Sequence, residues 1–133
     1  MQINESEKTK ITEFIVEKVS PYAIFLFGSG AKGSMTPESD IDIAFLSDSQ
    51  FTDYEIFMMA QELAAKLGRE VDLIDLGKAS TVFKAQVVGT GKIIYDGDIN
   101  RRRVFQMRTL KEYAMLNEER QHILDKFIER SLQ

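Results

Sequence analysis

The sequence predicts an α/β domain built on a mixed sheet, followed by a helical C-terminal extension. Three observations point there. Apolar residues recur at helical spacing in some segments and at a period of two in others, and the two kinds of segment alternate along the chain. The run Tyr22-Ala23-Ile24-Phe25-Leu26-Phe27 is apolar throughout and bounded by Pro21 and Gly28, as a central strand covered on both faces should be. From about Asn100 to the end there is neither glycine nor proline, and helix formers dominate.

In order, Glu5 to Ser20 places Ile11, Phe14, Ile15 and Val19 on one helical face, with Pro21 just beyond. The apolar strand follows, then a glycine turn, Phe27-Gly28-Ser29-Gly30-Ala31-Lys32-Gly33, and the breaker run Ser34-Met35-Thr36-Pro37. A second strand fits Asp40 to Leu46, where Ile41, Ile43 and Phe45 alternate with Asp40, Asp42 and Ala44. Thr52-Asp53-Tyr54-Glu55 has the form of a capping box, opening a helix through Ile56, Met59, Leu63 and Leu67 that Gly68 closes. Arg69 to Leu76 reads as a third strand. Ala79 to Val88 reads as a short helix stopped by Gly89-Thr90-Gly91, and Lys92 to Tyr95 as a last strand ending in Asp96-Gly97. An unbroken final helix of some 30 residues would run roughly 45 Å, more than the width of such a domain, so part of it must project or bend. With no internal repeat or linker, residues 1–133 are expected to form one domain, about 1–97 as an α/β core and about 98–133 as the C-terminal helical segment.

Composition narrows the chemistry. A hydrophobic fraction of 44% and a charged fraction of 29% suit a folded globular chain and argue against disorder. No apolar run reaches the roughly 20 residues that cross a bilayer, and the polar start lacks a signal-peptide layout, so a cytoplasmic protein without membrane contact is expected. With no cysteine and one histidine, His122, any bound metal should be a hard cation held by oxygen. Seventeen basic against 21 acidic residues, a net charge of -4, argue against direct nucleic-acid binding.

Gly28, Gly30 and Gly33 satisfy G-x-G-x-x-G after a strand, but the breakers at Ser34 to Pro37 deny the continuing helix that a dinucleotide fingerprint needs. A Walker A reading fails because Lys32 precedes the second glycine instead of following it. Taken alone, the turn serves backbone geometry as readily as phosphate. The strand after the turn changes the balance. Asp40 and Asp42, two apart on that strand, share a face opposite Ile41 and Ile43. Two such charges about 4 Å apart repel by roughly 1 kcal/mol in water and several times more near a protein surface, so orienting both inward calls for a divalent cation. Two-metal phosphoryl transfer needs one more carboxylate. The third strand offers Asp72 and Asp75, of opposite parity. Val71 and Leu73 mark the apolar face, which favours Asp72 for the site and leaves Asp75 at the strand end, capping or solvated.

Gly28-Ser29, ten intervening residues, Asp40-x-Asp42 and a later strand Asp72 resemble the nucleotidyltransferase superfamily related to DNA polymerase beta. The short chain and its C-terminal segment around Tyr113 to Ile123 are more closely similar to the minimal nucleotidyltransferase antitoxins encoded beside HEPN-domain toxins. The resemblance implies that Gly28 and Ser29 bind a triphosphate, with Lys32 as a point charge. It implies that Asp40, Asp42 and Asp72 hold two Mg2+ ions, with ATP as substrate. It further implies transfer of AMP to a tyrosine of a HEPN-family ribonuclease toxin encoded by a neighbouring gene, Asp72 assisting deprotonation of the hydroxyl. Relatives often carry arginine or tyrosine at Gly30 and arginine at Lys32, so this turn offers fewer side-chain contacts. Two other functions fit the residues: an antitoxin that blocks its partner by contact through the long helix, and a transferase acting on a small hydroxylated molecule. Arg101, Arg102 and Arg103 read as solvated charge, with proximity to a phosphate or an acidic partner as the minority reading; His122 reads as a helix-surface or interface residue. Phe57, Met58, Met59, Phe105, Met107 and Phe127 read as core or interface packing.

Overall fold

The computed structural model describes residues 3–28 and 40–131. Helix α1, Glu5–Val19, opens at Asn4, whose side chain accepts the Glu7 N–H while the Glu7 carboxylate accepts that of Asn4. It buries Ile11, Phe14, Ile15 and Val19. Strand β1, Ala23–Phe27, and strand β2, Ile41–Leu46, come next. Helix α2, Asp53–Leu67, starts with the Thr52/Glu55 capping box and ends at Gly68, which takes the left-handed conformation at φ 68°. Strand β3, Val71–Asp75, runs into a single 3-10 turn, Leu76–Lys78. Helix α3, Thr81–Thr90, strand β4, Lys92–Asp96, and helix α4, Ile99–Ser131, complete the order.

The sheet has the order β3-β2-β1-β4 among the described residues. β1 lies antiparallel to both β2 and β4, whereas β2 and β3 are parallel, joined through α2 as a parallel pair requires. Central β1 is buried on both faces, which explains its uninterrupted apolar run. One face, carrying Ile24, Leu26, Ile41, Ile43, Phe45 and Leu73, packs against Ile11, Phe14, Ile15 and Leu63 of α1 and α2. The other, carrying Phe25, Ala44 and Leu46, packs against Leu76, Val87, Phe83 and Phe105. Burying each large side chain contributes roughly 1.5–3 kcal/mol.

Both ends of β3 and both ends of α3 differ from the sequence reading. β3 is shorter than Arg69 to Leu76, because the Gly68 cap still engages Arg69, whose N–H donates to Ala64 O, and Leu76 already turns. α3 begins after Ser80, whose hydroxyl caps it, instead of at Ala79, and continues through Gly89 to Thr90. Glycine costs a helix about 1 kcal/mol, which the last turn tolerates here with the Thr90 hydroxyl bonded to Gln86 O.

α4 is one helix of 33 residues, about 50 Å long. Its first turns dock: Thr109 is buried and Phe105 packs into the second core. From Asn117 to Arg130 every residue is exposed, so the helix projects instead of bending. Two of the three arginines at its start are ion-paired, Arg101 while still exposed and Arg102 largely withdrawn from solvent. The Arg101 guanidinium lies 4.1 Å from the Tyr22 ring centroid and pairs in two-pronged fashion with Asp48, 53 residues away in sequence. Arg102, largely buried, pairs with Asp96 at 2.7 Å and with Gln106 at 2.8 Å. Arg103 and His122 are exposed. Of the residues read as packing, Met59 is buried and Phe105 half-buried, whereas Phe57, Met58, Met107 and Phe127 are exposed. Among the described residues no helix is long and apolar enough to cross a membrane.

Leu63, fully buried under the sheet, is expected to lower the unfolding free energy by about 2–5 kcal/mol when changed to alanine. Thr52→Ala, which removes a cap, should lower it by about 1 kcal/mol; urea titration of both variants measures the difference.

Candidate active site

The candidate site forms where β1 ends and β2 and β3 begin. Alternation sends Ile41 and Ile43, both fully buried, toward α1 and α2, and turns Asp42 to the opposite face, with Asp40 two residues before it. Asp42 stands opposite Phe27 of β1 on one side and opposite Asp72 of β3 on the other. Because β2 and β3 are parallel and in register there, the two carboxylates leave the sheet on the same face from strands about 4.8 Å apart.

Gly28 closes the corner. It takes φ 62°, a left-handed conformation unfavourable to other residues, and a Cβ built on it would collide with the Asp42 carboxylate oxygen Oδ2. Two reasons favour glycine at this position: the left-handed turn demands it, and the absent Cβ leaves room for the Asp42 carboxylate, which would otherwise have to swing aside. Sequence reasoning missed the second reason, since it depends on which strand lies beside β1.

Asp42 is half-buried, Asp40 and Asp72 exposed. Burial pushes the Asp42 carboxyl above its ordinary value, and the charges of Asp72 and then Asp40 push it further the same way. The three acids thus share one corner and feel one another. Among the described residues, no three acidic, histidine or cysteine side chains stand in metal-ligating geometry. The donor set nonetheless fits a hard divalent cation: it is all oxygen, and the charges of Asp72 and Asp40 both press on Asp42 with the same sign. Asp75, of the other parity, is opposite Phe45 at the strand end. It is not solvated: its side chain is 10% exposed, 4.0 Å from the Lys78 ammonium, and burial raises its carboxyl. Ser29, Gly30 and Lys32 lie outside the described residues.

The pH dependence of stability follows from the raised Asp42 carboxyl. The folded chain holds that proton more tightly than the unfolded chain, so stability falls as pH rises from about 3.9 through the raised folded value. In metal-free buffer Asp42→Asn should therefore be more stable than the parent at pH 7, with the gap closing below about pH 4. Denaturation at the two pH values measures it, and a gap independent of pH contradicts the crowding of charge.

A family described as Polymerase beta, Nucleotidyltransferase matches residues 9–100. The protein adenylyltransferase MntA of Shewanella oneidensis is 38% identical over 124 residues, covering 93% of this chain and 87% of that one. A crystal structure of a toxin–antitoxin with AMP-PNP contains a chain 35% identical that superposes with a TM-score of 0.82, covering 91% of this chain and 98% of that chain. A structure of the tri-AMPylated Shewanella oneidensis HEPN toxin in complex with MNT antitoxin matches at 32% identity and a TM-score of 0.79, covering 95% and 99%. A mixed sheet that sets two aspartates of neighbouring strands beside a left-handed glycine, and these likenesses over nearly the whole length, place the chain in the polymerase beta family of nucleotidyltransferases, among the minimal nucleotidyltransferases.

Proposed function

We propose that this protein is an antitoxin that neutralises a HEPN-family ribonuclease toxin by transferring AMP from ATP to a tyrosine of that toxin. The observation that carries the reading is the corner at Gly28, Asp42 and Asp72, in a chain 38% identical to a protein adenylyltransferase. The relative bound to a tri-AMPylated HEPN toxin supports the partner and the group transferred to it. The reaction uses ATP and a divalent metal. ATP and a ribonuclease target both suit the cytoplasm.

The division of labour follows from the side chains. Gly28, with no Cβ in the way, lets a phosphate approach the end of β1, and Ser29 and Lys32, which follow it in the sequence, would add a hydroxyl and a point charge. Asp40, Asp42 and Asp72 would hold two Mg2+ ions, which when bound neutralise charge on the α-phosphate and the departing pyrophosphate. Asp72 is exposed and on the face shared with Asp42, so an incoming phenol can reach it and pass it a proton. The tyrosine oxygen bonds to the α-phosphorus as the bond to the β-phosphate oxygen breaks, and pyrophosphate leaves. Such a transfer depends on alignment and charge more than on a nucleophile of the enzyme.

One observation favours a contribution from contact. Ile123, Leu124 and Ile128 are 69%, 51% and 49% exposed on the projecting half of α4, within one helical stripe. Such a stripe suits the packing of a protein partner.

With Mg2+ and labelled ATP, the parent is expected to label the cognate toxin on tyrosine. The variant with Asp40→Asn and Asp42→Asn should label it at least about a thousandfold more slowly, since several kcal/mol of charge stabilisation is lost. Full neutralisation by that variant, lost on truncation after Leu116, would show instead that contact suffices.

A further inference from the structure

β3 is the outer strand of the sheet among the described residues, and its outer edge borders a groove of about 510 Å3. One wall is α2, with Ile56 and Ala60 from its core-facing side and the exposed Phe57 beside them. The floor is Val71 to Asp75, so Asp72 belongs both to the groove and to the candidate active site. Lys78 stands at the far end.

The backbone of that edge is available for pairing. The Ile41 N–H donates to Glu70 O at 2.9 Å, which sets the alternation of the parallel ladder. Glu70, Asp72 and Ile74 turn their backbone groups toward β2, and Val71, Leu73 and Asp75 turn theirs outward. Among the described residues no strand pairs with that outward row. An open edge beside an apolar wall is the geometry in which an extended peptide is taken up as an added strand.

We propose that this groove receives the acceptor segment of the protein substrate as a strand added to β3, delivering its tyrosine beside Asp72. The inference rests on the reading that the chain modifies a protein, and it names where that protein's acceptor segment lies. Continuity supports this occupant, because the groove opens onto Asp72. Charge supports it too: Asp53, Asp72 and Asp75 against Lys78 alone give a lining that repels a phosphodiester chain and accepts a neutral or basic peptide.

The pleat then dictates specificity. A residue lying opposite Asp72 on the added strand projects to the carboxylate face, and its two neighbours project to the α2 face. A tyrosine in that place presents its ring on the side of Asp42 and Asp72. The residue next to it meets Phe57, which is 58% exposed over the groove. An apolar residue adjoining the acceptor tyrosine is therefore favoured.

The test uses the full chain and its cognate HEPN toxin. With p-benzoylphenylalanine incorporated in place of Phe57, irradiation should cross-link the toxin within about two residues of the tyrosine that receives AMP, matching the spacing of neighbouring strand positions. Cross-links only remote from that tyrosine, or only between two copies of this chain, overturn the proposal. Phe57→Glu should raise the KM for the toxin at least about tenfold, as loss of an aromatic anchor does, with kcat and AMP-PNP affinity little changed. An unchanged KM overturns the groove while leaving adenylylation standing. A parent protein that labels no toxin refutes the adenylylation reading itself, and the groove's role falls with it.

Discussion

The parallel pairing of β2 with β3, in the register that sets Asp42 beside Asp72, is the constraint on which the site depends. Nothing about the carboxylates themselves holds that register, since they repel. It is held from the other face, where Ile41, Ile43 and Phe45 of β2 and Leu73 of β3 are packed under α1 and α2. A slip of one residue would carry Leu73 to the face of the acids and Asp72 into the apolar core, at a cost of several kcal/mol. The core thus enforces a local arrangement of charge that the charges oppose.

Gly28 adds a steric condition to that electrostatic one. The end of β1 comes so close to Asp42 that a methyl group would displace the carboxylate, and the left-handed turn excludes other residues independently. Burial and like charge raise the Asp42 carboxyl, so the corner lowers the stability of the metal-free fold near neutral pH. A divalent cation would supply the opposite charge, so the same crowding that weakens the metal-free fold favours a cation there, whereas a triphosphate, itself anionic, would need that cation beside it.

α4 shows how a long exposed helix is fastened to a small core. The guanidinium of Arg101 lies over Tyr22 and grips Asp48, Arg102 grips Asp96, and Phe105 fills the sheet face beside them. These contacts fix the first turns to the end of the sheet opposite Gly28 and Asp42. The remaining turns run free of the core, with apolar side chains exposed.

Much of this was legible in the amino-acid sequence, because it depends on residues close together along the chain. Capping boxes, the αL glycine after α2, the alternation that pairs Asp40 with Asp42, and the preference for Asp72 over Asp75 all follow from spacings of two to four. The resemblance carried by Gly28-Ser29 and Asp40-x-Asp42 supplied family and reaction. Strand order, the partners of Arg101 and Arg102, and the contact between Gly28 and Asp42 were not legible. Asp48 and Arg101 lie 53 residues apart, and no local pattern couples them. The sequence by itself determined which residues could share a face; only the tertiary structure decided which faces meet, because strand order and register are set by packing of the whole core.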